Sequence, residues 1–209
     1  ERNWYCATFF RRDRVRPAEE RGDTYWLSPT PEVPASTFAF GTRPRVASWN
    51  TFEQIATGQR FVFGSTHLEA VNPWHRRKSA ELLRSYITRK VSELGEEVPV
   101  FLTGDFNAVS DSREIRALQA EAGGTHRLYD AWEEAGDPDP REANTFSGLG
   151  VFDRLGSLLL GPRRIDYVFY RPHLPVLGVR KIDFEQLVTR ECTRPSDHFP
   201  VLADFLLPV

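Results

Sequence analysis

Methionine is absent from the 209 residues, and lysine is nearly so: Lys78, Lys90 and Lys181 stand beside a large excess of arginine. A chain without methionine that opens at Glu1, just before the apolar stretch Trp4–Phe10, is expected to be a processed product or a fragment. Cysteine is scarce as well. Cys6 and Cys192 lie at opposite ends of the chain, so a disulfide requires a fold that joins the ends, and two unpaired thiols are the simpler expectation. No Cys/His cluster is present that would mark a structural zinc site. No apolar run approaches the ~20 residues of a membrane-spanning helix, and residues 1–10 lack a signal-peptide pattern. A surplus of one charge is missing too. The formal net charge is −2, so any attraction for phosphate must be local, and nucleic acid is a possible partner that charge does not indicate. The arginines are spread along the chain and read first as coding bias, although a guanidinium can hold phosphate through two hydrogen bonds.

What is present supports a folded domain. Hydrophobic residues make up 40% and aromatics 12%, enough to build a core and to exclude disorder of the whole chain. The length suits one sizeable domain, taken here as residues 1–209. Short runs rich in β-branched and aromatic residues predict strands over Trp4–Phe10, Arg45–Trp49, Phe61–Leu68, Val98–Thr103, Ile165–Tyr170, Val176–Ile182 and Phe199–Leu206. Thr57-Gly58 predicts a hairpin between the second and third. The run Val98–Thr103 is almost wholly apolar, as expected of an inner strand buried on both faces. Ala80, Leu83, Ile87, Val91 and Leu94 have helical spacing, with Pro73 fitting the first turn and Gly95 the stop. A second helix is expected over Ser112–Ala122, capped by Asp111 with Glu114 in capping-box spacing and stopped by Gly123-Gly124. A shorter one is expected over Tyr129–Ala135. Ser28–Ser36 and Gly136–Gly161 read as loops. Together these predict a layered α/β (α+β) domain with much antiparallel pairing.

Four stretches carry candidate chemistry. In Thr103-Gly104-Asp105-Phe106-Asn107, strand alternation would put Asp105 and Asn107 on one side and Phe106 in the core. A carboxylate and an amide projecting together can bind a hard cation or orient water and phosphate; alone, they could equally be a polar turn. In Ser196-Asp197-His198-Phe199, an imidazole beside a carboxylate can act as acid or base near neutral pH, although a lone Asp-His is more often a surface feature. In Arg164-Ile165-Asp166-Tyr167, an acid within an apolar strand needs a partner, either Arg164 or an imidazole that it orients. His67, in Ser65-Thr66-His67-Leu68, would alone pass for a satisfied core histidine. Asn144-Thr145-Phe146 is a weaker candidate and could be a simple turn. The basic cluster His75-Arg76-Arg77-Lys78 opens a helix, where a solvated face is expected.

Order and combination change the weight of these stretches. The succession THL, helix, GDFN, helix, NTF, RIDY and SDH resembles the endonuclease/exonuclease/phosphatase superfamily, the group of deoxyribonuclease I, and runs from about Trp4 to the end of the chain. Residues 26–31 and 44–49 look like a bacterial branch of that superfamily, broadly hydrolases. The resemblance implies a DNase I-like four-layer α/β sandwich and a Mg²⁺- or Mn²⁺-dependent phosphoesterase. It implies Asp197 as a metal ligand and His198 at the scissile phosphate, with Asp166 orienting its imidazole. Asp105 and Asn107 would position water and a phosphate oxygen, Asp105 also lying near metal. His67 would stabilise phosphoryl charge, and Asn144 would contact phosphate. The family's first-strand Asn and first-helix Glu ligand have no counterpart here. Asn50 and Glu53 lie too close to His67 to serve, and Glu69 is a poor substitute. The domain is therefore expected to lack its first strand and helix, to bind metal weakly and to leave apolar sheet surface uncovered. Arg164-Ile165-Asp166-Tyr167 departs from the inositol polyphosphate 5-phosphatase pattern, and a small or lipid-like phosphoester is favoured over duplex DNA. The alternative is a catalytically impaired scaffold that binds phosphorylated ligands or a protein partner. Compartment and oligomeric state are left open.

Overall fold

The structure, a computed structural model, describes residues 5–38, 42–120, 126–136, 143–146, 163–183 and 196–208. The first two strands, β1 (Val15–Pro17) and β2 (Asp23–Trp26), lie end to end along one edge of β3 (Val46–Gln54), both antiparallel to it. A tight turn with Gly58 at φ 74° leads into β4 (Arg60–His67), which completes the hairpin expected at Thr57-Gly58. Helix α1 (Pro73–Leu94) then crosses over to β5 (Val100–Asp105), which runs parallel to β4. After α2 (Arg113–Gln119), the two-residue β6 (Tyr129–Asp130) and α3 (Ala131–Glu134), β7 (Asp166–Arg171) lies antiparallel between β5 and β6. The large sheet thus has the order β1/β2–β3–β4–β5–β7–β6. The last strands, β8 (Val176–Lys181) and β9 (Val201–Phe205), form a separate antiparallel pair.

Alternation along β5 shows how the layers meet. Leu102 faces one way, into a core with Trp49, Leu83, Ile87, Ile115 and Phe169 beneath α1 and α2. Phe101 faces the other way, towards Tyr170, Leu174 and Phe205 of the β8/β9 side. Val100, Phe101 and Leu102 are all buried, as an inner strand covered on both faces requires. Helix α1 keeps its expected bounds because its signals agree. Asn72 accepts the His75 N–H, Pro73 fills the first turn, and Gly95 ends the helix at φ 109°, a backbone angle that side chains disfavour. Burying Leu83 and Ile87 contributes roughly 1.5–3 kcal/mol each.

Several expectations are corrected. Residues 5–10 form no strand, and Tyr5 and Phe9 are exposed; the sheet edge is taken instead by the short β1 and β2. The cap of α2 is Ser112, whose hydroxyl accepts the Ile115 N–H, one residue beyond Asp111, and the helix ends at Gln119. Gly123-Gly124, most of the 136–161 loop and Cys192 lie outside the described residues. Cys6 is a free thiol whose pKa burial pushes up to about 11. The basic cluster on α1 is a solvated face at Arg77 and Lys78 only. His75 is buried against the Leu27 carbonyl, Arg76 pairs with Glu114 in the interior, and Arg77 and Lys78 pair with Glu81.

Candidate active site

Parallel pairing of β4 and β5 sets His67 opposite Asp105, and antiparallel pairing of β5 and β7 sets Asp105 opposite Asp166. Three candidate residues that lie far apart in the sequence thus come together at one end of the sheet. Gly104 makes this possible. Its φ is 144°, and a Cβ there would fall 1.9 Å from the Thr66 carbonyl oxygen, so any side chain would force β5 away from β4. His198 joins from the segment before β9. Its Nδ1 lies 2.8 Å from Asp166 Oδ2, and its Nε2 lies 3.9 Å from Asp105 Oδ2. His67 Nε2 approaches the same Asp105 oxygen at 3.2 Å. Arg164, the other possible partner of Asp166, bonds instead to the buried Asp130.

The environment separates the charge states of these groups. Burial, then the Asp166 carboxylate across the pair, raises the Asp105 pKa to about 6. Burial, the Arg45 guanidinium and His198 push His67 down to about 4, so the 3.2 Å contact joins a neutral imidazole to Asp105 and is no ion pair at neutral pH. The hydrogen bond to Asp166 raises His198 above its ordinary range despite partial burial. A depression of about 480 Å³ opens over Asp105, Asp166 and His198, floored by Gly104, Phe63 and Val168.

The remaining candidates sit around this cluster. Strand β5 ends at Asp105, and Asn107 turns to φ 50°, so its position comes from a turn and not from strand alternation. Its backbone N–H donates to Asp105 Oδ1 and its side-chain amide to the Leu68 carbonyl, while Phe106 fills the core as expected. Asp197 is half-buried beside His198, and its charge contributes to the rise in the His198 pKa; it does not line the depression. Asn144 Oδ1 accepts the Arg163 backbone N–H, so that oxygen serves the loop. Glu53 pairs with Arg16 and Arg60 at the end of β3 opposite His67. Two residues escaped the sequence. Arg45 is buried beside Glu69, with Nε 3.6 Å from Oε2, and its charge reaches His67 and Asp105. The Phe146 ring packs 4.9 Å from the His198 ring. Arg45 looks like any strand-flanking arginine in the sequence; Phe146 had a signal in its NTF stretch, read only as weak.

Residues 4–198 match the endonuclease/exonuclease/phosphatase family. This chain belongs to that family. Its members are hydrolases of phosphoesters and generally use divalent metals. A family structure from Bacteroides vulgatus is 28% identical, with a TM-score of 0.72 over 95% of this chain and 69% of that one. A mannosyl-6-phosphatase from Bacteroides thetaiotaomicron is 25% identical, with a TM-score of 0.65 over 94% of this chain and 69% of the other. Nocturnin of Xenopus laevis is 23% identical over 205 residues, covering 96% of this chain. The chain spans 48% of nocturnin's length, so about half of that relative has no counterpart in it. The mixed sheet and its helices are those of the DNase I-like fold.

The family's metal fits the donors only in part. Asp105, Asp166 and Asp197 offer hard carboxylate oxygens, and a cation would relieve the crowding of Asp105 against Asp166. Among the described residues, however, no three acidic, His or Cys side chains converge as a ligand shell.

Proposed function

We propose that this chain carries reacting groups of a metal-dependent phosphoesterase acting on a phosphodiester or a phosphomonoester. The observation that supports this is the continuous row Asp166–His198–Asp105–His67, with successive contacts of 2.8, 3.9 and 3.2 Å beneath an open depression. Above a pH of about 6 the Asp105 carboxylate is ionised and can accept a proton from an attacking water. His198 donates from Nδ1 to Asp166, which fixes the ring and favours the imidazolium; its Nε2 is then a charged donor for a phosphoryl oxygen. Neutral His67 steadies Asp105 from the other side. Mg²⁺ or Mn²⁺, held in part by Asp105 and Asp197, would supply Lewis-acid neutralisation of phosphoryl charge.

A small or lipid-like ester fits better than duplex DNA. The net charge is −2, and the basic side chains that open α1 are paired with acids or buried. The incomplete ligand shell among the described residues supports a second reading, a scaffold that holds phosphorylated ligands without turnover.

The test is hydrolysis of p-nitrophenyl phosphate and bis-p-nitrophenyl phosphate with Mg²⁺, Mn²⁺ or EDTA. Turnover is expected to vanish in EDTA and to fall about 10²–10⁴-fold in His198→Ala. Turnover indifferent to both changes would refute the proposal. A native chain that binds phosphate yet never turns over these esters would favour the scaffold.

A further inference from the structure

A second depression, of about 440 Å³, lies beyond Asn107 and Phe146 from the one over Asp105. Arg76, Asn107, Val109, Phe146, Arg163 and Ile165 contribute to its walls, and among the described residues no carboxylate does. Its two arginines are in different situations. Arg76 is engaged through Nε and Nη1, donating to Glu114 Oε1 at 2.7 Å and to the Glu69 and Ala70 carbonyls. Arg163 has no acidic partner among the described residues, although it is half-buried. Among the described residues, Arg45 pairs with Glu69, Arg164 with Asp130 and Arg171 with Glu96.

The backbone of Arg163 is nonetheless held firmly. Its N–H donates to Asn144 Oδ1 at 3.0 Å, and its carbonyl accepts the N–H groups of Thr145 and Phe146 at 3.1 and 3.3 Å. A half-buried arginine on a fixed backbone, lining a cavity with no carboxylate among its described lining residues, is placed to receive an anion. The same cavity adjoins the reacting groups. Ile165 precedes Asp166, the Asn107 N–H bonds to Asp105, and the Phe146 ring that walls it touches His198.

We propose that Arg163 and this cavity form a subsite for a second phosphate, so that the preferred substrates are phosphoesters bearing a further phosphate beyond the scissile one. This rests on the phosphoesterase reading of the neighbouring cluster. The planar guanidinium matches two phosphate oxygens at once, which an ammonium cannot do.

The experiment is calorimetric titration of the chain, with Ca²⁺ replacing Mg²⁺, against two matched pairs of ligands. These are adenosine 3′,5′-bisphosphate with adenosine 5′-phosphate, and glucose 1,6-bisphosphate with glucose 6-phosphate. In at least one pair the bisphosphate is expected to bind about tenfold or more tightly than its monophosphate. Arg163→Ala and Arg163→Gln should abolish that preference and leave the monophosphate affinity unchanged, and Arg163→Lys should restore it in part. Monophosphates that bind as well as their bisphosphates would overturn the subsite and leave the phosphoesterase reading standing. Equal weakening of both members of a pair in Arg163→Ala would also overturn it, by assigning Arg163 to the scissile phosphate. Failure of all four ligands to bind, with no hydrolysis of p-nitrophenyl esters, would overturn subsite and phosphoesterase together.

Discussion

Asp105 is held where an ionised carboxylate is uncomfortable, buried and facing Asp166. Its folded pKa of about 6 lies above the ordinary value of 3.8, so the folded protein binds the proton more tightly than the unfolded chain. The associated stability is complete below the ordinary value and is lost as pH rises through about 6. In metal-free protein at pH 8, Asp105→Asn should therefore raise stability by roughly 2–3 kcal/mol, an upper figure given some solvent contact, and the gain should shrink towards pH 4. Denaturant melts at the two pH values in EDTA check this, and a destabilised Asn variant at pH 8 would contradict it. The same variant should lose turnover. Asp166→Asn acts differently, because it removes the carboxylate that favours the His198 imidazolium. The His198 titration seen by NMR should move to lower pH, and turnover should fall about 10²–10⁴-fold. An unmoved titration would separate Asp166 from His198. That partnership was legible as a possibility in Arg164-Ile165-Asp166, but the sequence could not choose between Arg164 and an imidazole. The choice depends on Asp130 drawing Arg164 away, and Asp130 is distant in the chain.

At the scale of the element, the site depends on how closely β5 can approach β4. Gly104 is the narrow point, with no room for a Cβ beside the Thr66 carbonyl and an unfavourable φ for any other residue. Gly104→Ala should destabilise the fold by roughly 2–4 kcal/mol and, where the protein still folds, lower turnover by displacing Asp105 from His67. A variant with native stability and native kinetics would show that the strands can separate freely. Elements whose local signals agree were legible to the residue: α1 has its cap, its proline, its apolar stripe and its terminal glycine in one register. β1 and β2 were not, because Val15–Pro17 and Asp23–Trp26 are too short to show a pattern and are strands only because β3 offers them an edge. Trp4–Phe10 misled for the converse reason. Its apolar residues suit a strand, yet Phe9 is exposed and Phe10 packs a ring against Phe52 from outside the sheet. Asn107 likewise arrives by a left-handed turn that alternation could not foresee.

For the whole molecule, the informative feature is the space between the two sheets. Phe61, Phe63, Phe101 and Val168 on the large sheet and Ala203 and Phe205 on the small one line a cleft of about 390 Å³, and the Phe101 and Phe205 rings meet at 4.9 Å. Phe63, Thr103, Val168 and Val201 line both this cleft and the depression over Asp105, so the apolar surface runs continuously into the candidate site. A cleft walled by so many aromatic and aliphatic side chains should take up apolar probes. The chain is expected to enhance the fluorescence of anilinonaphthalene sulfonate, to associate with rising concentration in sedimentation velocity, and to do both less as Phe63→Ser. Because the surfaces are continuous, the probe should also compete with p-nitrophenyl phosphate wherever turnover is observed. A monodisperse chain that leaves the probe dark would mean that the cleft closes in solution. Competition without association would instead place the apolar surface at the service of the substrate, and a long-chain phosphoester should then bind more tightly than its short-chain counterpart, with the difference lost in Phe63→Ser.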